Sequence, residues 1–405
     1  MGYRIRKLDI KTKKQGLEEF AKIGASLPGQ QIMVNKIFPI ALKVKTVDVR
    51  AADILKQEML SRNGDVVTLR ESILKSAGLT DVVILGTEKS IESLIEKIKI
   101  QPFGLKKLSE ELMQYLLQLK HAKANKTIKI GKKEFDLDKK GPLIMGILNV
   151  TPDSFYDGGY YLSKGDAFKR ADEICSEGAH IIDVGGMSTR PGSKPVSIEE
   201  ELERTIPVIK YIYKNHDVLI SIDTYRSKVA EKAADSGASI INDISGLTFD
   251  KNMAEVVANS RTSVVIMHIQ GTPENMQKNP SYDDVVDEIY NFLYTQCEYA
   301  VETGVERERI IIDPGIGFGK NLEHNLEILA KLSDFINMGY PVLAGVSRKS
   351  FIGSILGGIP AVERLEGSLA AAVFAYINGA KILRVHDIKQ TIQAVKVAKS
   401  IKDLI

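Results

Sequence analysis

Gly141 to Gly159 reads GPLIMGILNVTPDSFYDGG, an apolar run that gives way abruptly to a polar, turn-rich loop. Leu143 to Leu148 carries large aliphatic side chains interrupted only by Gly146, the pattern of a strand covered on both faces in a parallel sheet. Asn149 ends the run. Thr151, Pro152, Asp153, Ser154, Asp157 and two glycines follow, mostly turn formers that let the chain leave a strand tip and set several oxygens above it. A single Asn-Val-Thr-Pro junction fits a plain strand-ending turn as well as a site, so the weight falls on whether the junction recurs.

It recurs through the rest of the chain. Apolar strands are predicted at 143–148, 180–184, 218–222, 239–243, 263–267, 309–312, 341–346 and 381–385. Each is followed by a helical pattern: 164–177, 197–214, 226–236, 250–259, 281–303, 322–335, 361–378 and 387–401. Eight strand-helix units in succession predict an α/β fold of the (β/α)8 barrel type, with the site on the loops after the strands. An open doubly wound sheet is the alternative, but it does not normally need eight units or polar groups after every strand.

Upstream, residues 1–124 have a different texture and predict a separate small α/β sandwich domain. Phe38–Val49 alternates, Ala51–Leu60 has helical spacing, Val66–Leu69 and Val82–Leu85 are short strands, and Ser90–Ile98 and Leu105–Leu119 are amphipathic helices. Glu58, Arg62, Asp65 and Arg70 read as solvated surface, and no chemistry is assigned to this part. The barrel domain is expected over 125–405. Its first residues, 125–140, form a lysine-rich linker and a β-hairpin of Thr127–Ile130 and Glu134–Leu137 around Gly131, placed to cap the bottom of the barrel.

Composition narrows the function classes. The chain has 405 residues, 44% hydrophobic and 26% charged, with a net charge of +3, an ordinary globular balance too weakly basic to indicate nucleic acid. No apolar run approaches the roughly 20 residues of a membrane span, and the charged start is not followed by a signal-peptide core; a cytoplasmic protein is expected. Cys175 and Cys297 stand far apart without neighbouring histidines, so neither a disulfide framework nor a zinc site is expected.

Polar residues end every predicted strand: Asn149, Asp183, Asp223, Asn242, His268, Asp313, Ser347 with Arg348 and Lys349, and Arg384 with His386. In a barrel all eight tips face one way, so the ligand must be rich in hydrogen bonds, because buried polar groups left unpaired cost about 1–3 kcal/mol each. Asp223, Asn242 and Asp313 offer acceptors and Lys349 a donor, which suits the 2-amino-4-oxo edge of a pterin or a guanine. Asp183 and Asp243 read as loop braces. Ser188, Thr189, Arg190, Pro191 and Gly192 after the second strand, with Arg384 and His386 after the eighth, suit a phosphate or pyrophosphate, and Asn149 offers an oxygen to Mg2+. The competing role for Arg384 is a pair with Asp387. Gly315–Gly319 lacks the spacing of a dinucleotide loop.

The stretches GILNVTPDSFYDGG, DVGGMSTRPG, SIDTYR, INDISG, MHIQGTPENMQ, DPGIGFGK, GVSRKSFIG and RVHD resemble, in order, the motifs of the dihydropteroate synthases, over about 141–405. The resemblance implies condensation of 6-hydroxymethyl-7,8-dihydropterin pyrophosphate with p-aminobenzoate, with release of pyrophosphate assisted by Mg2+. It implies that Asp223, Asn242, Asp313 and Lys349 hold the pterin against Met267. Asn149, Arg190, Arg384 and His386 would hold pyrophosphate and metal, and Thr189, Pro191, Phe318 and Ser350 the p-aminobenzoate side. Asp157 would belong to a mobile first loop, from which its carboxylate is a candidate to stabilise a cation left by departing pyrophosphate. A homodimer is expected. Two departures stand out: Met187 replaces the Glu of many members, and the N-terminal domain has no counterpart in the minimal enzymes. Pterin-dependent methyltransfer and a non-catalytic pterin-binding paralogue are the competing functions. The first needs no anion and amine site, and the second is expected to have lost Asp157 and Arg190. Whether the amine is p-aminobenzoate or a larger arylamine stays open.

Overall fold

The computed structural model describes residues 3–70, 77–124, 127–131, 133–137, 141–150, 164–187 and 196–404. The chain divides into two compact units, Met1–His121 and Ala122–Asp403.

In the first unit, strands Ile40–Asp48, Leu79–Gly86 and Asp65–Val67 form an antiparallel sheet with Leu79–Gly86 in the centre. Strand residues Leu42, Val66, Val82 and Ile84 pack with Leu55 and Met59 of helix Val49–Leu60 and Ile91, Leu94 and Ile95 of helix Glu88–Ile98. Two helices, Lys13–Lys22 and Leu27–Val34, precede the first element expected from sequence. Their signal was local: Thr12 and Gln15 form a capping box, and Pro28 opens the second helix.

The second unit is the predicted barrel. Its strands are β1 (Leu143–Asn149), β2 (Ile181–Gly185), β3 (Leu219–Asp223), β4 (Ile240–Asp243), β5 (Ser263–Met267), β6 (Ile310–Asp313), β7 (Leu343–Ala344) and β8 (Ile382–Val385). They alternate with helices α1 (Lys164–Ser176), α2 (Ile198–Asn215), α3 (Ser227–Asp235), α4 (Met253–Ser260), α5 (Val285–Glu302), α6 (Leu322–Ala330), α7 (Leu365–Ile377) and α8 (Ile388–Lys402). The strands pair in parallel from β6 back to β1, then β8 and β7. A parallel bridge from Ile312 to Val342 and a bond from Ile312 N–H to the Pro341 carbonyl at 3.0 Å close the ring.

Alternation along each strand sorts the side chains. Ile182, Ile220, Ile241, Val264, Ile312 and Leu383 point outward into the shell of helices. Leu143, Met145, Ile181, Leu219, Ile240, Val265, Ile311, Leu343 and Ile382 fill the lower interior together with Ile128, Ile130, Phe135 and Leu137 of the hairpin Thr127–Ile130 and Lys133–Asp136. The hairpin is thus an apolar plug for the lower end of the barrel.

Candidate active site

Moving two residues along each strand from this apolar floor reaches the next inward-facing position, and there the chemistry changes. Ile181 leads to Asp183, Ile240 to Asn242, Val265 to Met267, Ile311 to Asp313 and Ile382 to Arg384, while Leu219 leads through Ser221 to Asp223. The site is the upper continuation of the same strand faces that build the core.

Arg384 is its hub. Nε donates to Asp183 Oδ2 and Nη2 to Asp223 Oδ2, both at 2.6 Å. Asn242 Nδ2 donates to the same Asp183 oxygen at 3.1 Å. Asp183 is fully buried and its other oxygen, Oδ1, has no partner among the described residues. Burial pushes the Asp223 carboxyl up, with Arg384 pulling it down and Asp183 adding to the rise. Asp183 is therefore no loop brace; its inward position on β2 puts it beneath the site. Asp243, one residue beyond Asn242, faces outward and does brace its loop, accepting from Ser245 N and Oγ at 2.8 and 2.7 Å and from Leu247 N at 3.0 Å. Asp387, the competing partner for Arg384, instead holds Arg348 through two bonds of 3.0 and 2.6 Å.

That second pair shapes the turn carrying Lys349. Arg348 takes a left-handed conformation, φ 57°, unfavourable for a residue with a Cβ unless its surroundings enforce it. They do: besides Asp387, its N–H donates to Ser368 Oγ at 2.9 Å and its carbonyl accepts from Arg364 Nη1 at 3.0 Å. Lys349 is then presented across the top of the barrel, Nζ 4.1 Å above the Phe318 ring centroid. Burial and the neighbouring Arg384 lower its ammonium to about 8, against Asp313 and Asp223. Ser350 follows, exposed, as the first residue of a short helix, Ser350–Ile355.

Asp313 ends β6. Its Oδ1 accepts from Gly315 N at 2.7 Å, and among the described residues no donor reaches Oδ2. Burial pushes its carboxyl up, with the Gly315 N–H and Lys349 opposing. The facing wall is apolar, made of Ile244, Met267, Ile269, Met276 and Phe318 with Tyr225 against it. Of these only Met267 and Phe318 were expected; the others lie in loops, where no periodicity marks an inward side chain. Tyr225 OH donates to the sulfur of Met187 at 3.6 Å, so the residue replacing the usual Glu is a buried member of this wall's surroundings.

His386 sits beside Arg384 with Nδ1 3.0 Å from Ser347 Oγ, which also accepts from the His386 N–H at 3.2 Å. Burial, then Arg384 and Arg348, lower its ring to about 3, so the ring is neutral in the ligand-free site. Asn149 is half-buried at the tip of β1, and its Oδ1 would lie 3.2 Å from a Cβ at Gly185. A glycine there leaves room in front of this oxygen, a fit for Mg2+, which takes one or two protein oxygens and fills its shell with phosphate and water.

Asp157, Thr189, Arg190 and Pro191 lie outside the described residues. The ends of the second loop are held by contacts not anticipated from sequence. Arg204 Nη1 donates to the Gly186 carbonyl at 3.0 Å. Arg226 donates to the Val196 carbonyl at 2.7 Å and pairs at 2.8 Å with Glu201, which is fully buried.

Residues 145–386 match the family model described as pterin binding enzyme. The dihydropteroate synthase of Escherichia coli K12 is 48% identical over 264 residues, 65% of this chain and 93% of that protein. A structure of Yersinia pestis dihydropteroate synthase with a sulfonamide drug aligns with a TM-score of 0.65 at 42% identity, covering 68% of this chain and 99% of that one. The Xanthomonas albilineans enzyme solved with 4-aminobenzoic acid aligns at 0.64 and 39%, covering 68% and 98%. With a family model matched over more than half of its length and a relative 48% identical over 93% of that protein, the chain belongs to the dihydropteroate synthase family of pterin binding enzymes.

Proposed function

We propose that this transferase condenses 6-hydroxymethyl-7,8-dihydropterin pyrophosphate with p-aminobenzoate to give 7,8-dihydropteroate and pyrophosphate. The observation that carries the reading is the pairing, at the strand tips, of acceptors and one donor from Asp223, Asn242, Asp313 and Lys349 with the apolar surface of Met267 and Phe318. A flat 2-amino-4-oxo ring satisfies both at once. Asp313 Oδ2 accepts ring and amino N–H, and Lys349 donates to the carbonyl oxygen. Arg384, His386 and, from the second loop, Arg190 hold the pyrophosphate. Thr189, Pro191, Phe318 and Ser350 bound the p-aminobenzoate side.

Asn149 would hold a magnesium ion through its side-chain oxygen, and the ion would neutralise charge on the leaving pyrophosphate. The methylene C–O bond breaks with its electron pair leaving on pyrophosphate. The amine nitrogen then forms the new C–N bond and gives up a proton to solvent. No side chain among the described residues is placed as a dedicated base for a weakly nucleophilic arylamine, and a methylene cation delocalised into the pterin favours dissociation first. Asp157, on the first loop, is the carboxylate assigned to that cation. The enzyme works as a cytoplasmic homodimer, for which exposed Leu322 and Leu326 on α6 and Phe374 and Ile377 on α7 supply apolar surface. The barrel unit carries the whole site.

The test is formation of dihydropteroate from the two substrates. Product that disappears in Lys349→Met supports the reading. Tight pterin binding without product would identify a binding paralogue instead.

A further inference from the structure

Lys320, which closes the glycine-rich loop after β6, has no part in the mechanism above, yet only 2% of it is exposed. An ammonium is not buried without replacements for its water. The structure supplies three: Nζ donates to the Phe318 carbonyl at 2.8 Å and the His268 carbonyl at 3.3 Å, and lies 3.0 Å from His268 Nδ1. Three acceptors meet the three donors of one ammonium. Burial, then the Lys320 charge, lower the His268 ring to about 2, so His268 is neutral with Nδ1 as the acceptor.

None of these partners is charged. Burial lowers the Lys320 ammonium well below its ordinary value and Lys349 adds to the fall, while Asp313 is the one charge that holds the proton on. Burial raises the Asp313 carboxyl in turn, and the Gly315 N–H and the charges of Lys349 from the turn after β7, Lys320 from its own loop and Arg384 from β8 oppose that rise. By formal charge Lys320 joins Arg384 and Lys349 opposite Asp183, Asp223 and Asp313, and removing it takes away one of the cations that act on Asp313. The packing is close as well. Gly315 has φ +72°, and a Cβ there would collide with the His268 carbonyl and stand 3.3 Å from Lys320 Nζ.

We propose that Lys320 is a positioning residue for the pterin site: its buried ammonium latches the loop after β6 onto the loop after β5 and sets a positive charge beside Gly315, whose N–H holds Asp313. The proposal rests on the reading of Asp313 as the pterin carboxylate. The latch fixes the Phe318 backbone and so the apolar face, and the charge keeps Asp313 an acceptor.

The test compares the full chain with Lys320→Met and Lys320→Gln by two measurements. The first is the carbon NMR titration of the Asp313 carboxyl in ligand-free protein, assigned by its loss in Asp313→Asn. Its midpoint is expected to rise by about one pH unit in both variants, the size of one lost neighbouring charge. The second is calorimetric binding of 6-hydroxymethylpterin against pH. The acid limb of affinity, where Asp313 protonates, moves up by the same amount. An unchanged Asp313 midpoint in a folded variant overturns the proposal. So does a neutral-amine nitrogen signal for Lys320 in the native chain at pH 7, which needs no variant. A shifted midpoint in a native chain that binds no pterin supports the charge placement and overturns the pterin assignment, so the two readings fail separately.

Discussion

The two ends of the barrel are filled from the same strand faces, two residues apart, by opposite chemistry. At the lower end, Ile181, Ile240, Ile311 and Ile382 meet an apolar hairpin. At the upper end, Asp183, Asn242 and Arg384 meet one another and Asp313 meets the Gly315 N–H, leaving Asp183 Oδ1 and Asp313 Oδ2 without partners among the described residues. Each floor side chain gains about 1.5–3 kcal/mol from burial. The upper groups lose solvation and are compensated only in part, so they oppose folding until a ligand arrives. Stability is concentrated at one end and recognition at the other, as expected where a site retains unsatisfied polarity.

The sharpest way to break this contrast is Arg384→Ala, which leaves Asp183 and Asp223 facing each other without their shared cation. Removing one partner of a buried ionic cluster should lower stability by about 4 kcal/mol at pH 8. The sign of the pH dependence follows from Asp223, whose carboxyl burial already raises. As pH falls toward 5 the Asp223 carboxylate protonates and the loss shrinks. Urea unfolding at the two pH values checks this, and an equal loss at both would mean that the pair is not ionic.

At the opposite end, Ile130→Ala removes a fully buried hairpin side chain and should lower stability by about 3 kcal/mol at either pH. The kcat/KM of the folded fraction should hold. A change in kcat/KM at constant fold would show that the floor is coupled to the site.

Asp313→Asn is smaller and confined to recognition. It replaces an acceptor with a donor facing ligand N–H groups, and pterin affinity should fall by about 2 kcal/mol. Unchanged affinity by calorimetry removes Asp313 from the pterin contacts.

Least of all should follow from deleting residues 1–124, which leaves the hairpin plug in place. Turnover should stay within about threefold, a change of under 1 kcal/mol. Folded but inactive protein would place part of the site in the first unit.

The sequence carried more of the barrel than of its site. The strand and helix positions were legible because their periodicity is local. So was the hairpin, through alternation around Gly131. Alternation also held the information that Asp183 faces inward, two residues beyond Ile181, though the residue reads as a brace when its tip is taken alone. The wall residues Ile244, Ile269 and Met276 carried no such mark, since loop side chains have no period. Lys320 stood in plain view at the end of a glycine-rich stretch, but no local pattern distinguishes a lysine that turns inward from one that turns to water.

What the sequence determined by itself is therefore the repeating unit, the direction in which all the strand tips point, and the kinds of groups found there. Which groups pair was decided only by ring closure. Arg384 lies 201 residues from Asp183 and 161 from Asp223, and it takes both rather than Asp387, three residues away. Closing the ring sets β8 beside β1 and aims Arg384 across the interior at β2 and β3, whereas Asp387, past the strand end, is left to the turn that carries Arg348. Periodicity is written in neighbouring residues, but an ion pair across a barrel depends on the curvature and closure of the whole sheet.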